Sequence, residues 1–216
     1  MMLKQWMFGI FSLLFTANVL ALTEGKDYIQ LPQEAQQQAV VQTFLAQDKG
    51  KVQVAEFFSY KCPGCYSLEG PFSAWAAKQP QDVAIRRVPV AFNPAWVPLA
   101  KTYYVLEELN VVERVNPIIF NAVHKENKRL ETQSEIAQYL TTHDVSLNDF
   151  NAAYEGFNVN RRWTQAQLLR EALQVTSIPA VVINGKYLTH LGMVSPDTFT
   201  QVLDDLVKRA RGESNL

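Results

Sequence analysis

Val52-Gln-Val-Ala-Glu-Phe-Phe-Ser-Tyr-Lys-Cys-Pro-Gly-Cys-Tyr66 is the stretch that decides the fold. Its first part is rich in β-branched and aromatic residues, which predicts a buried strand of a parallel or mixed sheet. The segment from Tyr66 to Lys78 predicts a helix, so strand and helix meet at Cys62-Pro-Gly-Cys65. These two cysteines are the only ones in the chain. A lone cysteine pair at this spacing is typical of a redox couple.

The turn from strand to helix places Cys62 at a helix N-terminus. Unpaired backbone N–H groups and the positive end of the helix dipole favour an anion there, so the Cys62 thiolate is stabilised. The thiolate is the nucleophile in thiol chemistry. Pro63 falls at the first helical position, where a missing N–H removes no helical hydrogen bond and the fixed φ holds the turn. Cys65, one turn further on, is predicted to be the more buried, resolving thiol.

Three other uses of a cysteine pair fit the sequence less well. A zinc site would require two more ligands at metal-binding spacing, whereas His124, His143 and His190 are scattered through the chain. Haem attachment requires a histidine directly after the second cysteine, where this chain has Tyr66. A purely structural disulfide would close a very small loop and so remove little entropy from the unfolded chain. The sequence therefore favours redox chemistry and no metal site.

Residues 1–21 have the pattern of a secretory signal peptide. Lys4 lies near the start, an apolar run extends from Trp6 to Val19, and cleavage is expected after Ala21. A membrane anchor is the alternative, but the run is shorter than the roughly 20 apolar residues that a spanning helix needs. No cysteine follows the run, which excludes lipoprotein attachment. The mature chain is therefore expected in an oxidising compartment, where a disulfide persists.

Composition sets the broad class of the protein. With 20 basic and 21 acidic residues the net charge is −1, and no basic block indicates a nucleic-acid partner. At 48 % hydrophobic and 19 % charged residues, the chain is globular rather than disordered. About 195 residues follow the signal peptide, enough for one domain that carries a substantial insertion.

The pattern along the chain alternates between strand and helix and then becomes helical. Val83 to Phe92 predicts a second strand, which forms a right-handed strand-helix-strand unit with the first. About eighty residues of helical period follow, including a capping box at Thr132-Gln-Ser-Glu135. Strand pattern returns at Ala180-Val-Val-Ile183 and turns at Asn184-Gly185, a strong hairpin signal. A last helix is predicted to start at Ser195-Pro196.

The predicted helices of the block cover Trp96 to Leu106, Val111 to Lys125 with Pro117 as a kink or break, Gln133 to Thr142, Ser146 to Tyr154, and a long fifth that starts at Asn160. This order matches an α/β, thioredoxin-like fold with an inserted all-helical subdomain. We assign residues 22–93 and 176–216 to the thioredoxin-like part and residues 94–175 to the helical insertion.

The sequence resembles the DsbA family of periplasmic thiol:disulfide oxidoreductases over essentially all of the mature chain. The resemblance is carried by Glu56-Phe-Phe-Ser-Tyr-Lys-Cys-Pro-Gly-Cys-Tyr66, Ser177-Ile-Pro-Ala180 and Val182-Ile-Asn-Gly-Lys-Tyr187. It implies that Cys62 attacks and forms the mixed disulfide, with Cys65 as its partner. It also implies that Pro179, after Ile178, is a cis-proline that lies against the C-x-x-C and presents backbone groups to the substrate chain. Without the resemblance, a trans proline that begins an edge strand would be expected.

Glu56 is unusual because an acid within Val-Ala-Glu-Phe-Phe is costly to bury unless it has a partner or stays protonated. The simplest alternative is an exposed acid on a strand edge. If the strand is central, Arg87 in the next strand is a plausible counter-charge. The family has an acid at the position of Glu56 but a lysine at that of Arg87, and arginine stays charged, so it cannot accept a proton. We hypothesise that Glu56 is the proton relay for Cys65.

Gly64 is a second departure from the family pattern. The best-known members have histidine there, and that side chain helps to hold the thiolate of the first cysteine. With Gly64, only the helix dipole and backbone N–H groups can stabilise the thiolate. We therefore expect a lowered pKa for Cys62 but a less oxidising disulfide than in the histidine-bearing members.

The resemblance implies an enzyme that introduces disulfides into reduced or unfolded secreted proteins through the Cys62–Cys65 couple. It implies location in the periplasm and reoxidation by a DsbB-like membrane quinone reductase, with no bound cofactor. A disulfide isomerase or reductase of the same superfamily is the alternative. Such enzymes commonly dimerise through an added N-terminal domain, for which residues 22–51 are too short, so a monomeric oxidase is favoured. From another class, a non-catalytic chaperone or peptide-binding module is possible.

Overall fold

The computed structural model describes residues 22–214. The predicted signal peptide, residues 1–21 with cleavage after Ala21, lies outside the described residues. Within residues 22–214, no helix combines the length and the apolar character needed to cross a bilayer.

A single sheet of five strands forms the centre of the described chain. The strands are β1 (Ile29–Gln30), β2 (Val52–Phe58), β3 (Val83–Pro89), β4 (Ala180–Ile183) and β5 (Tyr187–His190). Their order across the sheet is β1-β5-β4-β2-β3. Only β2 and β3 are parallel, and the other pairs are antiparallel. The sheet is therefore mixed, and β2, the strand that leads to Cys62, is central.

Helices occupy most of the remaining described residues. They are α1 (Gln33–Gln36), α2 (Ala39–Ala46), α3 (Pro63–Ala76), α4 (Val97–Glu108), α5 (Val112–His124), α6 (Gln133–Thr141), α7 (Leu147–Glu155), α8 (Phe157–Ala172) and α9 (Pro196–Ser214), with a short 3-10 helix at Pro94–Trp96. Helix α3 connects the parallel strands β2 and β3, and α4 to α8 lie between β3 and β4 in the sequence. This is the predicted thioredoxin-like order with a helical insertion.

The β4–β5 hairpin forms where Asn184-Gly185 predicted it. Both residues have positive φ, +50° and +64°, which a two-residue hairpin turn requires and which these two residue types tolerate best. The pairing places Ala180 opposite His190 and Ile183 opposite Tyr187. The turn thus fixes the register of the strand that follows Pro179.

The helical block differs from the sequence prediction at the start of α8, and the break considered at Pro117 does not occur. Pro117 lies inside α5 and does not end it. The proline removes one backbone hydrogen bond, but α5 contributes buried side chains to the core both before and after Pro117, which keeps the helix continuous. Helix α8 starts at Phe157 rather than Asn160, because Gly156 both ends α7 and begins α8 in an extended conformation. The Asn160 side chain donates to the carbonyl oxygen of Gly156, at 2.9 Å, from inside the first turn.

The sheet separates two hydrophobic cores, because side chains alternate between its faces. Ala55 and Phe57 face the helical block, α4 to α8. Val54, on the opposite face, packs with side chains of α3 and α9. Cys62 and Cys65 border the first core. The active-site candidates therefore lie where the sheet, α3 and the helical block meet.

Candidate active site

Cys62 is the N-cap residue of α3. Its backbone is extended, with φ −91° and ψ 117°, and its Sγ accepts a hydrogen bond from the backbone N–H of Cys65 at 3.3 Å. Pro63 occupies the first helical position, as predicted. The sulfur atom thus takes the place of the side-chain oxygen that usually caps a helix, and it faces N–H groups that have no helical partner.

The two thiols have opposite environments. Both are free in the structure, and Cys65 is 1 % exposed against 8 % for Cys62. Hydrogen bonds from the Cys65 side chain and from the backbone N–H groups of Cys65 and Gly64, opposed by burial, lower the pKa of Cys62 from 9.0 to about 7. Burial, together with the hydrogen bond and charge of Cys62, raises the pKa of Cys65 far above its usual range. Cys62 is therefore the thiol that ionises near neutral pH.

The loop before β4 lies against this turn. The Ile178–Pro179 peptide bond is cis, which confirms the expectation from the resemblance. The carbonyl oxygen of Ile178 accepts a hydrogen bond from the Cys62 thiol at 3.5 Å. A Cβ atom at Gly64 would lie 3.1 Å from Cδ of Pro179 and 3.6 Å from Leu191. Gly64 thus lets α3 approach the cis-proline loop closely.

Glu56 and Arg87 form the predicted ion pair. They are register partners on β2 and β3, and Arg87 Nε lies 3.0 Å from Glu56 Oε2. Glu56 is 2 % exposed, so the alternative of an exposed acid on a strand edge is wrong. Because it is two residues from Val54, its side chain lies on the α3 side of the sheet. Burial, partly offset by Arg87, raises the pKa of Glu56 from 4.5 to about 7, and its charge in turn raises that of Cys65.

Sequence reasoning missed a second carboxylate at this site. Glu69 on α3 accepts hydrogen bonds from Arg87 Nη1 at 2.9 and 2.8 Å. Asn116, on α5 of the helical block, donates to Glu69 Oε1 at 2.8 Å and accepts from the Tyr60 hydroxyl at 2.6 Å. The spacing of four residues between Cys65 and Glu69, which places them on one face of α3, is the signal that could have found Glu69.

An aromatic contact also joins α3 to the helical block. The rings of Tyr66, directly after Cys65, and His124 on α5 are stacked with centroids 4.7 Å apart and planes 12° apart. Nε2 of His124 lies 2.8 Å from the carbonyl oxygen of Tyr60, and the Tyr66 hydroxyl donates to Asn121 at 3.1 Å. These contacts hold the first turn of α3 against α5 of the helical insertion.

The part of the chain that the structure describes contains no cluster of side chains arranged as metal ligands. No group of three or more histidine, cysteine, aspartate or glutamate side chains comes together there in a way that could hold an ion. The reactive groups that the site brings together are its two thiols and the buried carboxyl of Glu56.

Comparison with known proteins agrees with this geometry. A profile of the family described as DSBA-like thioredoxin domain matches residues 53–204. The thiol:disulfide interchange protein DsbA of Azotobacter vinelandii is 37 % identical over 188 residues, which cover 87 % of this chain and 84 % of that protein. The Burkholderia cepacia protein of the same name is 36 % identical over 207 residues, covering 94 % and 92 %.

Solved structures give the same answer. The crystal structure of Pseudomonas aeruginosa DsbA has a TM-score of 0.81 and 31 % identity, covering 90 % of this chain and 97 % of that one. The oxidoreductase DsbA from Xylella fastidiosa has a TM-score of 0.76 and 26 % identity, covering 88 % and 98 %. The thiolate-stabilising cysteine turn, the cis-proline beside it and these similarities together show that the chain belongs to the DsbA family of thioredoxin-like thiol:disulfide oxidoreductases.

Proposed function

We propose that this protein introduces disulfide bonds into secreted proteins by exchange through the Cys62–Cys65 couple. The observation that carries the proposal is the opposite environment of the two thiols. A low pKa makes Cys62 a good leaving group and stabilises the reduced enzyme, which is the thermodynamic basis of an oxidase. The similarity to DsbA proteins supports the same direction of electron flow.

The reaction begins with the enzyme in its disulfide form. A substrate thiolate attacks Sγ of Cys62, the Cys62–Cys65 bond breaks, and its electron pair passes to the sulfur of Cys65. A second substrate thiolate then attacks the substrate sulfur of the mixed disulfide. The substrate leaves with a new disulfide, and Cys62 leaves as a thiolate that the N-terminus of α3 stabilises. Two electrons have passed from the substrate thiols to the enzyme.

Glu56 supplies the proton that the first step needs. Cys65 leaves as a thiolate in a buried site where its charged form is strongly disfavoured. With a pKa of about 7, the Glu56 carboxyl holds a proton in a useful fraction of molecules at neutral pH and can give it to Cys65. Arg87 remains charged and stabilises the carboxylate that is left. We therefore expect Glu56→Gln to catalyse thiol-disulfide exchange more slowly, with a rate that depends less on pH.

The substrate chain binds beside Ile178 and Pro179. This loop lies against Cys62, so a peptide whose cysteine is joined to Cys62 must pass along it. Backbone groups of the loop bind the peptide irrespective of its sequence, which suits an enzyme that acts on many unfolded proteins.

The partners and location follow from the same proposal. The enzyme works in the periplasm as a monomer, without a bound cofactor, and a DsbB-like membrane quinone reductase reoxidises Cys62 and Cys65. The monomer is supported by residues 22–51, which pack on the same body: β1 pairs with β5, and α2 packs against α8. The signal-peptide pattern of residues 1–21 supports export.

The equilibrium reduction potential of the couple tests the direction of the reaction. We expect titration of the purified mature protein against a glutathione buffer to give a value clearly more oxidising than the roughly −270 mV of thioredoxin. Reduced ribonuclease should also be oxidised faster than scrambled ribonuclease is isomerised. A potential near that of thioredoxin would reject the oxidase and favour a reductase or isomerase. Full biological activity in a Cys62→Ser, Cys65→Ser double variant would instead favour the non-catalytic chaperone.

A further inference from the structure

Arg87 lies between two carboxylates, Glu56 and Glu69, and its hydrogen bonds are not divided equally between them. Its Nη1 donates to both oxygens of Glu69, at 2.9 and 2.8 Å, and its Nη2 donates to Ser73 Oγ at 2.8 Å. Its Nε lies 3.0 Å from Glu56 Oε2, yet that buried oxygen has no hydrogen-bond partner among residues 22–214. The guanidinium thus gives its well-directed hydrogen bonds to α3 and leaves Glu56 with a charge contact alone.

Glu69 is held in this position by the helical block. Asn116, 3 % exposed on α5, donates to Glu69 Oε1 at 2.8 Å, and Ser73 Oγ donates to the same oxygen at 3.1 Å. Asn116 is itself held by the Tyr60 hydroxyl, at 2.6 Å. A continuous polar chain therefore runs from Tyr60 through Asn116, Glu69 and Arg87 to Glu56.

Charged or titratable groups face Glu56 from β3, α3 and α4. Arg87 faces it from β3, Cys65 and Glu69 from α3, and the phenol of Tyr103 from α4. On β4 its register partner is the apolar Val181. One guanidinium cannot fully neutralise two carboxylates, and the buried Glu56, which has the fewer hydrogen bonds, is therefore the one that keeps a proton. Glu69 has the hydrogen bonds, and its charge works against ionisation of Glu56.

We propose that Glu69, held by Asn116, is a positioning residue for the exchange reaction: it engages Arg87 and so leaves Glu56 protonated to serve Cys65. The proposal rests on the proposed role of Glu56 in that reaction. In the first step the Cys62–Cys65 bond breaks, the electron pair goes to Cys65, and the Glu56 proton moves to that sulfur. Glu56 then recovers a proton from water. The helical insertion thereby tunes a proton donor in the thioredoxin-like part.

The test is a titration of the Glu56 carboxyl in the oxidised protein, in which neither cysteine titrates. The carboxyl carbon is observed by carbon-13 NMR and assigned by its absence in Glu56→Gln. In Glu69→Gln, Arg87 has Glu56 as its only carboxylate, so the Glu56 titration should move to lower pH by about one unit or more, the usual effect of an unshared opposite charge. The pH profile of ribonuclease oxidation should shift in the same direction, with a lower rate at neutral pH.

Asp48→Asn is the matched control. Arg86 is the residue before Arg87 on β3, and its Nε lies 2.6 Å from Oδ2 of Asp48. The substitution therefore removes an arginine–carboxylate pair that does not include Glu56. Both the titration and the profile should stay as in the parent. If Glu69→Gln does not fold, Asn116→Ala keeps both carboxylates and should give a smaller shift in the same direction.

The possible outcomes separate this proposal from the proposed function. An unchanged Glu56 titration in the Glu69 variant, or an equal shift in the Asp48 control, would overturn the inference even if exchange is active. A shifted titration with an unchanged oxidation profile would overturn the role of Glu69 in the reaction. If the parent protein oxidised no substrate, the proposed function would fail, while the titration would still decide how Arg87 is shared.

Discussion

Cys62 and Cys65 lie one helical turn apart, yet the protein treats their charges in opposite ways. Cys62 lies at the N-terminus of α3, where N–H groups of its own turn donate hydrogen bonds that stabilise a negative charge. Cys65 lies buried inside the same turn, where burial and the charges of Cys62 and Glu56 disfavour its thiolate. The groups that lower the pKa of Cys62 all belong to the Cys62–Cys65 turn. Hydrogen bonds within the turn and the burial of Cys65 together favour the negative charge on Cys62 rather than on Cys65.

The largest test of this comparison removes one thiol at a time. We expect the lone Cys62 in Cys65→Ser to be alkylated at neutral pH at least about a hundredfold faster than the lone Cys65 in Cys62→Ser, because only Cys62 has an appreciable thiolate fraction. Cys65→Ser should also accumulate mixed disulfides with substrates, and Cys62→Ser should catalyse no exchange. Timed iodoacetamide labelling followed by mass spectrometry measures both rates.

Serine is the substitution of choice because, in Cys65→Ser, its hydroxyl can still donate the hydrogen bond that the Cys65 thiol donates to Cys62. Comparable alkylation rates in the two variants would show that the thiols are equivalent and would remove the basis of the comparison. Far-ultraviolet circular dichroism of both variants verifies that they are folded.

A substitution at Gly64 should increase the difference between the two thiols. Gly64→His should stabilise the Cys62 thiolate further and make the couple more oxidising by at least tenfold in its equilibrium with glutathione, about 30 mV. The reduction potential, measured by titration in glutathione buffers, provides the number.

Gly64→Ala separates the charge of histidine from its size. A Cβ atom at residue 64 lies 3.1 Å from Cδ of Pro179, so both variants press equally on the cis-proline loop at that atom. Only the histidine variant should change the potential in the oxidising direction. A fall or no change in Gly64→His relative to Gly64→Ala would contradict the account of thiolate stabilisation.

The smallest effect is a pH dependence of stability that only the reduced protein has. The pKa of Cys62 is lowered from 9.0 to about 7 by folding, so the unfolded chain binds more protons between these values. The stabilisation is fully present above the unfolded pKa and is lost as the pH falls through about 7. We therefore expect the free energy of unfolding of the reduced protein to rise from pH 7 towards pH 9.0 relative to the oxidised protein.

Urea unfolding of both redox forms over this range measures the difference. Titrating groups other than the two thiols are present in both forms and cancel in the comparison. Folding raises the pKa of Cys65, so this thiol opposes the rise in stability only as the pH approaches 9.0. A constant difference between the two forms from about pH 6 to about pH 9 would mean that Cys62 has the same pKa in the folded and unfolded chain.

Local signals predicted much of this fold from the sequence. The cysteine turn, the Asn184-Gly185 hairpin, the capping box at Thr132 and the helix start at Pro196 each depend on a few neighbouring residues. The structure has all of them where the sequence indicated. Pairing of Glu56 with Arg87 was also predictable, since adjacent parallel strands bring equivalent positions together.

Contacts between distant parts of the chain were not predictable in the same way. Strand β1 has two residues and exists because Ile29 and Gln30 pair with β5, far along the sequence. Asn116 and Glu69 are 47 residues apart, and only the packing of α5 against α3 brings them together. A polar residue in an amphipathic helix gives no sign of which distant carboxylate it will bind. The proton-transfer network was therefore visible only in the folded protein.

The two edges of the sheet matter for an enzyme that handles unfolded chains. One edge, β1, offers two residues of unpaired backbone, and the other, β3, carries Arg86 and Arg87 and ends at Pro89. Short strands, charges and proline are the features by which natural sheets prevent other chains from adding to them. The protein can therefore present a reactive sulfur to sticky, partly folded polypeptides without its own sheet becoming a template for their aggregation.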